Sequence, residues 1–329
     1  MEETIVDVVN LRKWFPVRKG VLASIFGVGQ LYVRAVDDVS FSIGKGEIFG
    51  LAGESGCGKT TTGKTLLRLV EPTDGRVYFR GRDVLSLGRV EMKRLRRKMQ
   101  IIYQDPYESL DPRMTVLDTV SEPLSIHRLI EGASEREERV VEALEEVELL
   151  PPEEFLYRYP HELSGGQRQR VAVARALVLG PEFIVADEPV SMLDISIRAE
   201  ILKLMLKLRE DFGISYLFIT HDLATARQLC HRIAVMYLGK IVEEAPTEEL
   251  IGEPLHPYTE ALLAAVPVPD PTAERIKITI SGEVPSPVSP PPGCRFHPRC
   301  PLAIGVCSKE EPELRSIDSK RSVACHLVA

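Results

Sequence analysis

The sequence predicts an α/β fold: a mostly parallel sheet with an inserted helical subdomain, followed by a Pro- and Cys-rich C-terminal extension. Three observations predict it. Short apolar runs alternate with helical patterns over residues 1–250, as in parallel sheets covered by helices. A long helical pattern interrupts this alternation between about residues 105 and 180. Prolines are dense between residues 267 and 292, which excludes long helices and central strands there.

Composition limits the classes of protein that fit. The 329 residues are 44% hydrophobic, enough for a sizeable core, and carry a formal net charge of −7. A net negative charge argues against nucleic acid as the main partner, because binding to phosphates requires a basic face. No apolar run approaches 18 residues and the acidic start has no apolar segment, so we expect neither a membrane span nor a signal peptide. Any membrane role is expected to come through a partner.

The most informative stretch runs from Gly53 to Thr60 and fits the phosphate-binding pattern G-x-x-x-x-G-K-[ST]. Its glycines let backbone N–H groups close around phosphate oxygens, Lys59 adds positive charge, and Thr60 offers a hydroxyl to Mg²⁺. An apolar strand over 47–52 and a helix over 60–69 supply the required setting, which favours a nucleotide site over an ordinary glycine turn. The predicted contacts are Gly53, Ser55, Gly56, Cys57, Gly58, Lys59, Thr60 and Thr61.

Polar residues follow several predicted strands. Gln104 follows the strand at 101–103, Asp187 ends the strand that starts at Phe183, and His221 follows the strand at 215–220. Asp187 suits Mg²⁺ coordination and the next residue, Glu188, suits deprotonation of a water, while Gln104 can reach either. Taken singly, Gln104 is more often a loop residue and His221 a structural histidine, and a capping carboxylate is the ordinary alternative for Asp187. Their shared place at strand ends favours one site at the carboxyl edge of the sheet.

Local patterns place the remaining elements. Strands are predicted over 5–11, 32–41 and 76–80, and the region 115–150 is predicted to be helical. Trp14 can stack on adenine or be an ordinary core aromatic. Ser164 is predicted to cap a helix reaching about Leu179, and Ser164-Gly165-Gly166-Gln167 is either an anion site or only a capped helix. Further predictions are a helix over 197–208, a strand pair over 233–243, a helix capped by Thr247 and a helix over 258–265.

Four cysteines are grouped near the end, whereas Cys57 and Cys230 lie elsewhere. The four follow the spacing C-x5-C-x6-C-x17-C and are Cys294, Cys300, Cys307 and Cys325. Four thiolates suit a [4Fe–4S] cluster or a tetrahedral zinc, but the C-x2-C knuckles common in zinc sites are missing. The residues leave a cluster, zinc and no metal open. His297 and His326 are interpreted as bystanders.

Taken together, residues 1 to about 250 resemble the ATP-binding subunits of ABC transporters, a branch of the P-loop NTPases. The motifs that carry the resemblance occur in the family's order: the phosphate loop, Gln104, Leu163–Gln167, Asp187-Glu188, Ser191–Asp194 and His221. The resemblance implies that Trp14 stacks on adenine, that Asp187 holds Mg²⁺, that Glu188 is the general base and that His221 senses the γ-phosphate. It also implies that Ser164, Gly165 and Gly166 contact ATP bound to a second ATPase subunit.

The C-terminal extension, residues 251–329, resembles the oligopeptide/dipeptide importer branch. The matching stretches are His256–Thr259, Leu262-Leu263 and Gly293–Pro301, with Lys19–Gln30 and Tyr103–Tyr107 also similar. The resemblance implies a peripheral protein on the cytoplasmic face of the membrane, with a paralogous ATPase, two permease subunits and an external substrate-binding protein as partners. Some similar ATPases hold [4Fe–4S] on such cysteines.

The expected function is therefore an ATPase that powers import of dipeptides or oligopeptides. Relatives that carry oligosaccharides or nickel leave the cargo open. A soluble ABC-type ATPase and an exporter subunit are weaker alternatives, because no second cassette, long coiled coil or fused membrane span is predicted. A metal-sensing tail could coexist with transport.

Overall fold

A computed structural model describes residues 3–17, 30–105, 109–265 and 282–328. The chain divides into two compact units, each assembled from separate segments. The first consists of Met1–Ile5, Ile43–Ile48 and Ser86–Phe218, and the second of Val6–Ser42, Phe49–Leu85 and Ile219–Ala329. The predicted insertion at 19–30, except Gln30, lies outside the described residues, as do residues 106–108 of the loop after Gln104 and residues 266–281 of the proline-dense stretch.

Strands and helices alternate as the sequence predicts. The strands are β1 (Thr4–Pro16), β2 (Tyr32–Gly44), β3 (Ile48–Ala52), β4 (Asp74–Phe79), β5 (Arg82–Asp83), β6 (Met99–Ile102), β7 (Phe183–Asp187), β8 (Ser215–Thr220), β9 (Arg232–Tyr237), β10 (Lys240–Pro246), β11 (Arg315–Ser316) and β12 (Ser322–Val323). The α-helices are α1 (Lys59–Leu66), α2 (Arg89–Leu95), α3 (Val116–Ile126), α4 (Ala133–Glu146), α5 (Gly165–Leu177), α6 (Ile195–Phe212), α7 (Leu223–Leu229), α8 (Thr247–Gly252) and α9 (Pro257–Ala264).

The second unit contains two groups of strands. One has the order β2-β1-β4-β5, in which β1 and β4 pair antiparallel with Val8 opposite Val77. In the other, β3 pairs parallel with β9, and β10 pairs antiparallel with β9 across the turn at Gly239. Strand β12, from the C-terminal extension, adds to β10 with Val323 opposite Glu243. The extension is thus hydrogen-bonded into a sheet of the second unit.

The first unit combines parallel strands with the predicted helical subdomain. Strands β6 and β7 pair in parallel with Ile101 opposite Val185. Helices α3, α4 and α5 pack against one another, and the predicted apolar face of α4, with Val140 and Leu144, is fully buried. The helical prediction for 115–150 is therefore confirmed as two helices, the first capped by Thr115, whose side chain accepts from Asp118 N–H.

The predicted end of α1 and the predicted cap of α8 are wrong, each for a physical reason. Helix α1 ends at Leu66 rather than Leu69, since Arg68 adopts a left-handed backbone (φ 50°) that cannot continue the helix. Thr247 does not cap α8: it is the first helical residue, and its buried hydroxyl donates to the Cys230 carbonyl at 2.7 Å. Packing against the end of α7 thus takes the side chain away from the capping position.

Candidate active site

The phosphate loop joins β3 to α1 in the second unit, as the sequence predicts. The Lys59 ammonium is buried and donates to the carbonyl oxygens of Gly53 at 2.7 Å and Glu54 at 3.0 Å. Ser55 and Gly56 are exposed, whereas Cys57 is buried. Burial raises the pKa of the Cys57 thiol, although the neighbouring Lys59 charge acts in the opposite direction. Cys57 is therefore a neutral packing residue, and Lys59 is the cation of the loop.

Two loop positions require glycine. Gly53 (φ 151°) and Gly58 (φ 111°) have backbones that other residues rarely adopt. A Cβ on Gly53 would lie against the Met236 carbonyl oxygen, and one on Gly58 would lie against the Ala35 carbonyl oxygen. Since Gly58 directly precedes α1, this close packing also fixes where the helix begins, with its N–H groups facing the loop.

Trp14 lies within β1, because that strand extends five residues past its predicted end at Leu11. Its indole N–H donates to Asp37 at 3.0 Å, and the Arg34 guanidinium lies 4.8 Å from the ring centroid. The ring is half-buried rather than part of the core. Trp14 is therefore a half-buried aromatic fixed by Asp37, and its stacking on adenine stays a prediction.

In the first unit, two of the predicted catalytic side chains meet. Gln104, just after β6, donates from Nε2 to Glu188 Oε2 at 3.2 Å. Asp187 is buried at the end of β7, and Glu188 follows with a left-handed backbone (φ 47°). Such a conformation is uncommon for a residue with a side chain and is often found at functional sites. The parallel pairing of β6 and β7 is what brings the two strand ends together.

The Ser164 turn also lies in the first unit. Ser164 caps α5, as predicted: its hydroxyl accepts from Gln167 N–H at 3.3 Å, and Gln167 Oε1 accepts from Ser164 N–H at 2.9 Å. Ser164 itself is exposed. A Cβ on Gly166 would lie 2.7 Å from Ile197 of α6, so glycine lets the two helices approach there. The result is a helix N-terminus at which the small polar side chain of Ser164 is exposed.

The predicted site residues are thus distributed over both units. Trp14, the phosphate loop with Thr60 and Thr61, and exposed His221 belong to the second unit. Gln104, the Ser164 turn, Asp187 and Glu188 belong to the first. Within each unit the structure retains the predicted strand-end or helix-start position of these residues. Their catalytic roles stay predictions.

The four cysteines of the extension lie near one another but do not form a metal site as arranged. Burial, with smaller contributions from the nearby Cys307 and Cys325, raises the pKa of Cys294 to about 11. Burial also raises the pKa of Cys300 and Cys325, with Cys307 again contributing. Among the described residues, no group of three or more His, Cys, Asp or Glu side chains is placed to hold a metal ion. The predicted [4Fe–4S] cluster therefore gains no support from this arrangement.

Sequence reasoning missed a set of residues that contact the phosphate loop. Glu54 N–H donates to the Tyr258 hydroxyl at 2.9 Å, and Arg299 donates to both Glu54 carboxylate oxygens at 2.8 and 3.0 Å. Arg295, four residues before Arg299, forms a buried ion pair with Asp37, the partner of Trp14. No spacing signal joins residues this far apart in sequence.

Comparison with known proteins agrees with this geometry. Residues 36–191 match the family described as ABC transporter, and residues 242–307 match the oligopeptide/dipeptide transporter C-terminal region. The chain is 47% identical to the oligopeptide transport ATP-binding protein AppF of Bacillus subtilis, over 99% of this chain and 98% of that protein. The chain belongs to the ATP-binding proteins of ABC transporters. A probable peptide ABC transporter ATP-binding protein of Sinorhizobium fredii is also 47% identical, over 100% of this chain and 91% of that protein.

Solved structures support the same assignment. A dimeric structure of the ATP-binding cassette MJ0796, in a post-hydrolysis state bound to ADP and Pi, has a TM-score of 0.63 and 33% identity, covering 74% of this chain and 99% of that one. As a member of this family the chain is an ATPase, and ATP with Mg²⁺ fits an ABC ATPase. In the ranges that the structure describes, no helix is long and apolar enough to cross a membrane.

Proposed function

We propose that this ABC ATPase powers the import of dipeptides or oligopeptides through a membrane transporter. The observation that carries the proposal is the match of residues 242–307 to the oligopeptide/dipeptide transporter C-terminal region. Relatives named for peptide transport align over nearly the whole chain, which adds support. Like them, this subunit would supply the energy and leave recognition of the cargo to other subunits.

The proposed chemistry assigns one step to each group of residues. Trp14 stacks on adenine, and the loop from Gly53 to Thr61 surrounds the phosphates. Thr60, Gln104 and Asp187 would hold Mg²⁺, and the ion would supply positive charge against the charge that develops on the phosphates. Glu188 accepts the proton of the attacking water, a role supported by its hydrogen bond with Gln104. His221 contacts the γ-phosphate.

The second half of each ATP site is proposed to come from a partner ATPase, a paralogue of this chain. The support is the turn of Ser164, Gly165 and Gly166 at the start of α5, where Ser164 is exposed and the positive end of the helix suits an anion. Gln167 fixes that turn by the reciprocal cap. ATP bound by this chain would then meet the corresponding turn of the partner, and closure of the pair would move the membrane subunits.

The remaining partners follow from the same proposal. Two integral membrane permease subunits would form the pathway, and an external substrate-binding protein would deliver the cargo. The chain would lie peripherally on the cytoplasmic face of the membrane. Residues 1–250 would act as the nucleotide-binding domain, with the helical subdomain over about 105–180, and residues 251–329 as the extension.

The test is the ATPase rate of the complex purified with its membrane partners and binding protein, with peptides, oligosaccharides or Ni²⁺ added in turn. Stimulation by peptides alone is expected. Stimulation only by oligosaccharides or Ni²⁺ would support the role in a transporter but contradict the proposed peptide cargo. Failure to recover any membrane partner would favour a soluble ABC-type ATPase.

A [4Fe–4S] cluster on the four grouped cysteines also remains a proposal, resting on four thiol ligands and their spacing alone. Iron and acid-labile sulfide are to be quantified in anaerobically purified protein, with a Cys307→Ser variant as the control. About four irons in the wild type and far fewer in the variant are expected. Zinc in their place, or neither metal, would overturn the proposal.

A further inference from the structure

The second residue of the phosphate loop, Glu54, is contacted by the C-terminal extension through both its backbone and its side chain. Its N–H donates to the Tyr258 hydroxyl at 2.9 Å. Its carboxylate accepts two parallel hydrogen bonds from Arg299, at 2.8 and 3.0 Å. Such a two-pronged guanidinium–carboxylate pair fixes orientation as well as distance. The extension therefore contacts the loop directly.

Burial makes this contact specific rather than a loose surface pair. The side chain of Arg299 is 9% exposed, and its guanidinium also lies 3.3 Å from the Tyr237 hydroxyl. Tyr258 is fully buried, with ring centroids 4.7 Å from Tyr237 and 5.3 Å from Phe296. The Glu54 side chain is 27% exposed. Removal of Arg299 would therefore leave a partly buried carboxylate without its partner, which costs more than the loss of a fully exposed pair.

The segment before Tyr258 fixes the position of its ring. His256 caps α9, since its Nδ1 accepts from Tyr258 N–H at 3.0 Å, and Pro257 occupies the first helical turn. The Glu243 carboxylate of β10 accepts from the N–H groups of Leu255 and His256 at 2.8 and 3.0 Å. Each residue of His256-Pro257-Tyr258 thus has a defined structural part in presenting the hydroxyl to the phosphate loop.

Glu54 is consequently restrained at three points. Tyr258 binds its N–H, Lys59 donates to its carbonyl oxygen at 3.0 Å, and Arg299 binds its carboxylate. Its neighbour Gly53 and the exposed Gly56 have no side chain through which they could be restrained in this way. Glycine also has wide backbone freedom. Fixing Glu54 therefore limits the conformations of the loop before it binds phosphate, and preorganisation of this kind raises affinity.

A second contact from the C-terminal extension reaches Trp14, the residue proposed to stack on adenine. Arg295 is buried, donates to the Leu238 carbonyl oxygen and pairs with Asp37. Asp37 accepts from the Trp14 indole N–H at 3.0 Å. Two residues of one short stretch thus act at both places. Arg299 contacts the phosphate loop itself at Glu54, and Arg295 contacts Asp37, the partner of Trp14.

We propose that Arg299 and Tyr258 are positioning residues of the ATPase: through Glu54 they hold the phosphate loop in the conformation that binds nucleotide. This inference rests on the proposed assignment of Gly53–Thr61 as the ATP site. It gives the C-terminal extension a direct part in ATP binding.

The experiment measures KM for ATP, kcat and MgATP affinity in the purified transporter for Arg299→Ala, Arg299→Lys and Tyr258→Phe. Arg299→Ala is expected to raise KM about tenfold with a smaller change in kcat, since preorganisation acts on binding. Arg299→Lys should recover part of the affinity, and Tyr258→Phe should weaken it while keeping the ring packed. Arg321→Ala is the matched control, because Arg321 also lies in the extension but pairs with Asp318, Glu249 and Glu253.

A double-mutant cycle of Glu54→Gln with Arg299→Ala keeps the proposal testable should one variant be unstable. The two changes should raise KM by much less together than the product of their single effects, because both remove the same contact. Multiplicative effects, or a lower melting temperature with unchanged KM, would overturn the proposal. Lys59→Ala distinguishes failure of the ATP-site assignment from failure of the positioning role. Normal nucleotide affinity in Lys59→Ala would refute the ATP site itself. Lost affinity in Lys59→Ala together with normal affinity in Arg299→Ala would refute only the positioning role.

Discussion

The phosphate loop and the Ser164 turn are both glycine-containing segments ahead of a helix, yet they are held in different ways. Partners 204 and 245 residues away in sequence bind Glu54 of the phosphate loop. The Ser164 turn is closed by its own Gln167, three residues on, and Ser164 is exposed. One segment is fixed by tertiary structure and the other by a local capping box.

This difference agrees with the proposed division of work. A loop that must surround the phosphates of its own nucleotide benefits from being ordered in advance. A turn that is to contact ATP on a second subunit needs to stay accessible, so only local hydrogen bonds can shape it. Changes at the two segments should accordingly differ in what they disturb: ATP affinity in one case and turnover in the other.

The largest loss of ATP turnover should come from a change at Glu188, the strand-end carboxylate. Glu188 belongs to neither segment and acts after ATP has bound. Glu188→Gln should keep ATP affinity near that of the wild type and lower ATP turnover about 100-fold or more, because the amide accepts no proton from water. Single-turnover hydrolysis beside equilibrium ATP binding checks this. Wild-type turnover in the variant would remove Glu188 as the general base.

Stability should depend on pH through His256, which caps the helix that carries Tyr258. Burial lowers the pKa of His256 to about 4 from its ordinary 6.5. Between these values the unfolded chain takes up a proton that the folded chain does not, so the free energy of unfolding falls as pH drops from about 6.5 to about 4. The full difference corresponds to about 3 kcal/mol.

The matched variant is His256→Asn, which retains a side-chain acceptor for the helix cap but does not titrate. Its free energy of unfolding should change less over that pH range than that of the wild type. Denaturant unfolding of both proteins at several pH values is the measurement. Equal pH dependence would show that His256 is not the responsible group.

The smallest change in stability should come from the local turn. Ser164→Ala removes the hydroxyl that caps α5 and should lower the free energy of unfolding by about 1 kcal/mol. Ser164→Asn, which can still cap the helix, is the control and should lose less. A cost of several kcal/mol from Ser164→Ala would mean that the turn also depends on contacts beyond its capping box.

What the sequence predicts well is local. The strand–loop–helix around Lys59 and the cap by Ser164 each depend on a few adjacent residues, and the structure confirms their conformations. Gln104 and Glu188 could also be expected to meet, because parallel strands place their carboxyl ends together.

What the sequence could not predict depends on tertiary packing. Tyr258 and Arg299 reach Glu54 only because the extension folds back within the second unit, and no periodicity reveals such a pairing. The prediction that Thr247 caps a helix is wrong for the same reason, since its hydroxyl instead donates to the Cys230 carbonyl oxygen at the end of another helix. The cysteine spacing suggested a metal, but spacing alone does not fix how four thiols are arranged.

The most direct test of the contrast between the two segments is photolabelling with 8-azido-ATP in the purified transporter, since it reports ATP binding for each ATPase chain separately. Lys59→Ala in this chain should abolish its labelling, whereas Ser164→Ala should leave its labelling near the wild-type level while turnover falls. Normal labelling of the Lys59→Ala chain, or equal loss in both variants, would contradict the assignment of the phosphate loop as this chain's own ATP site.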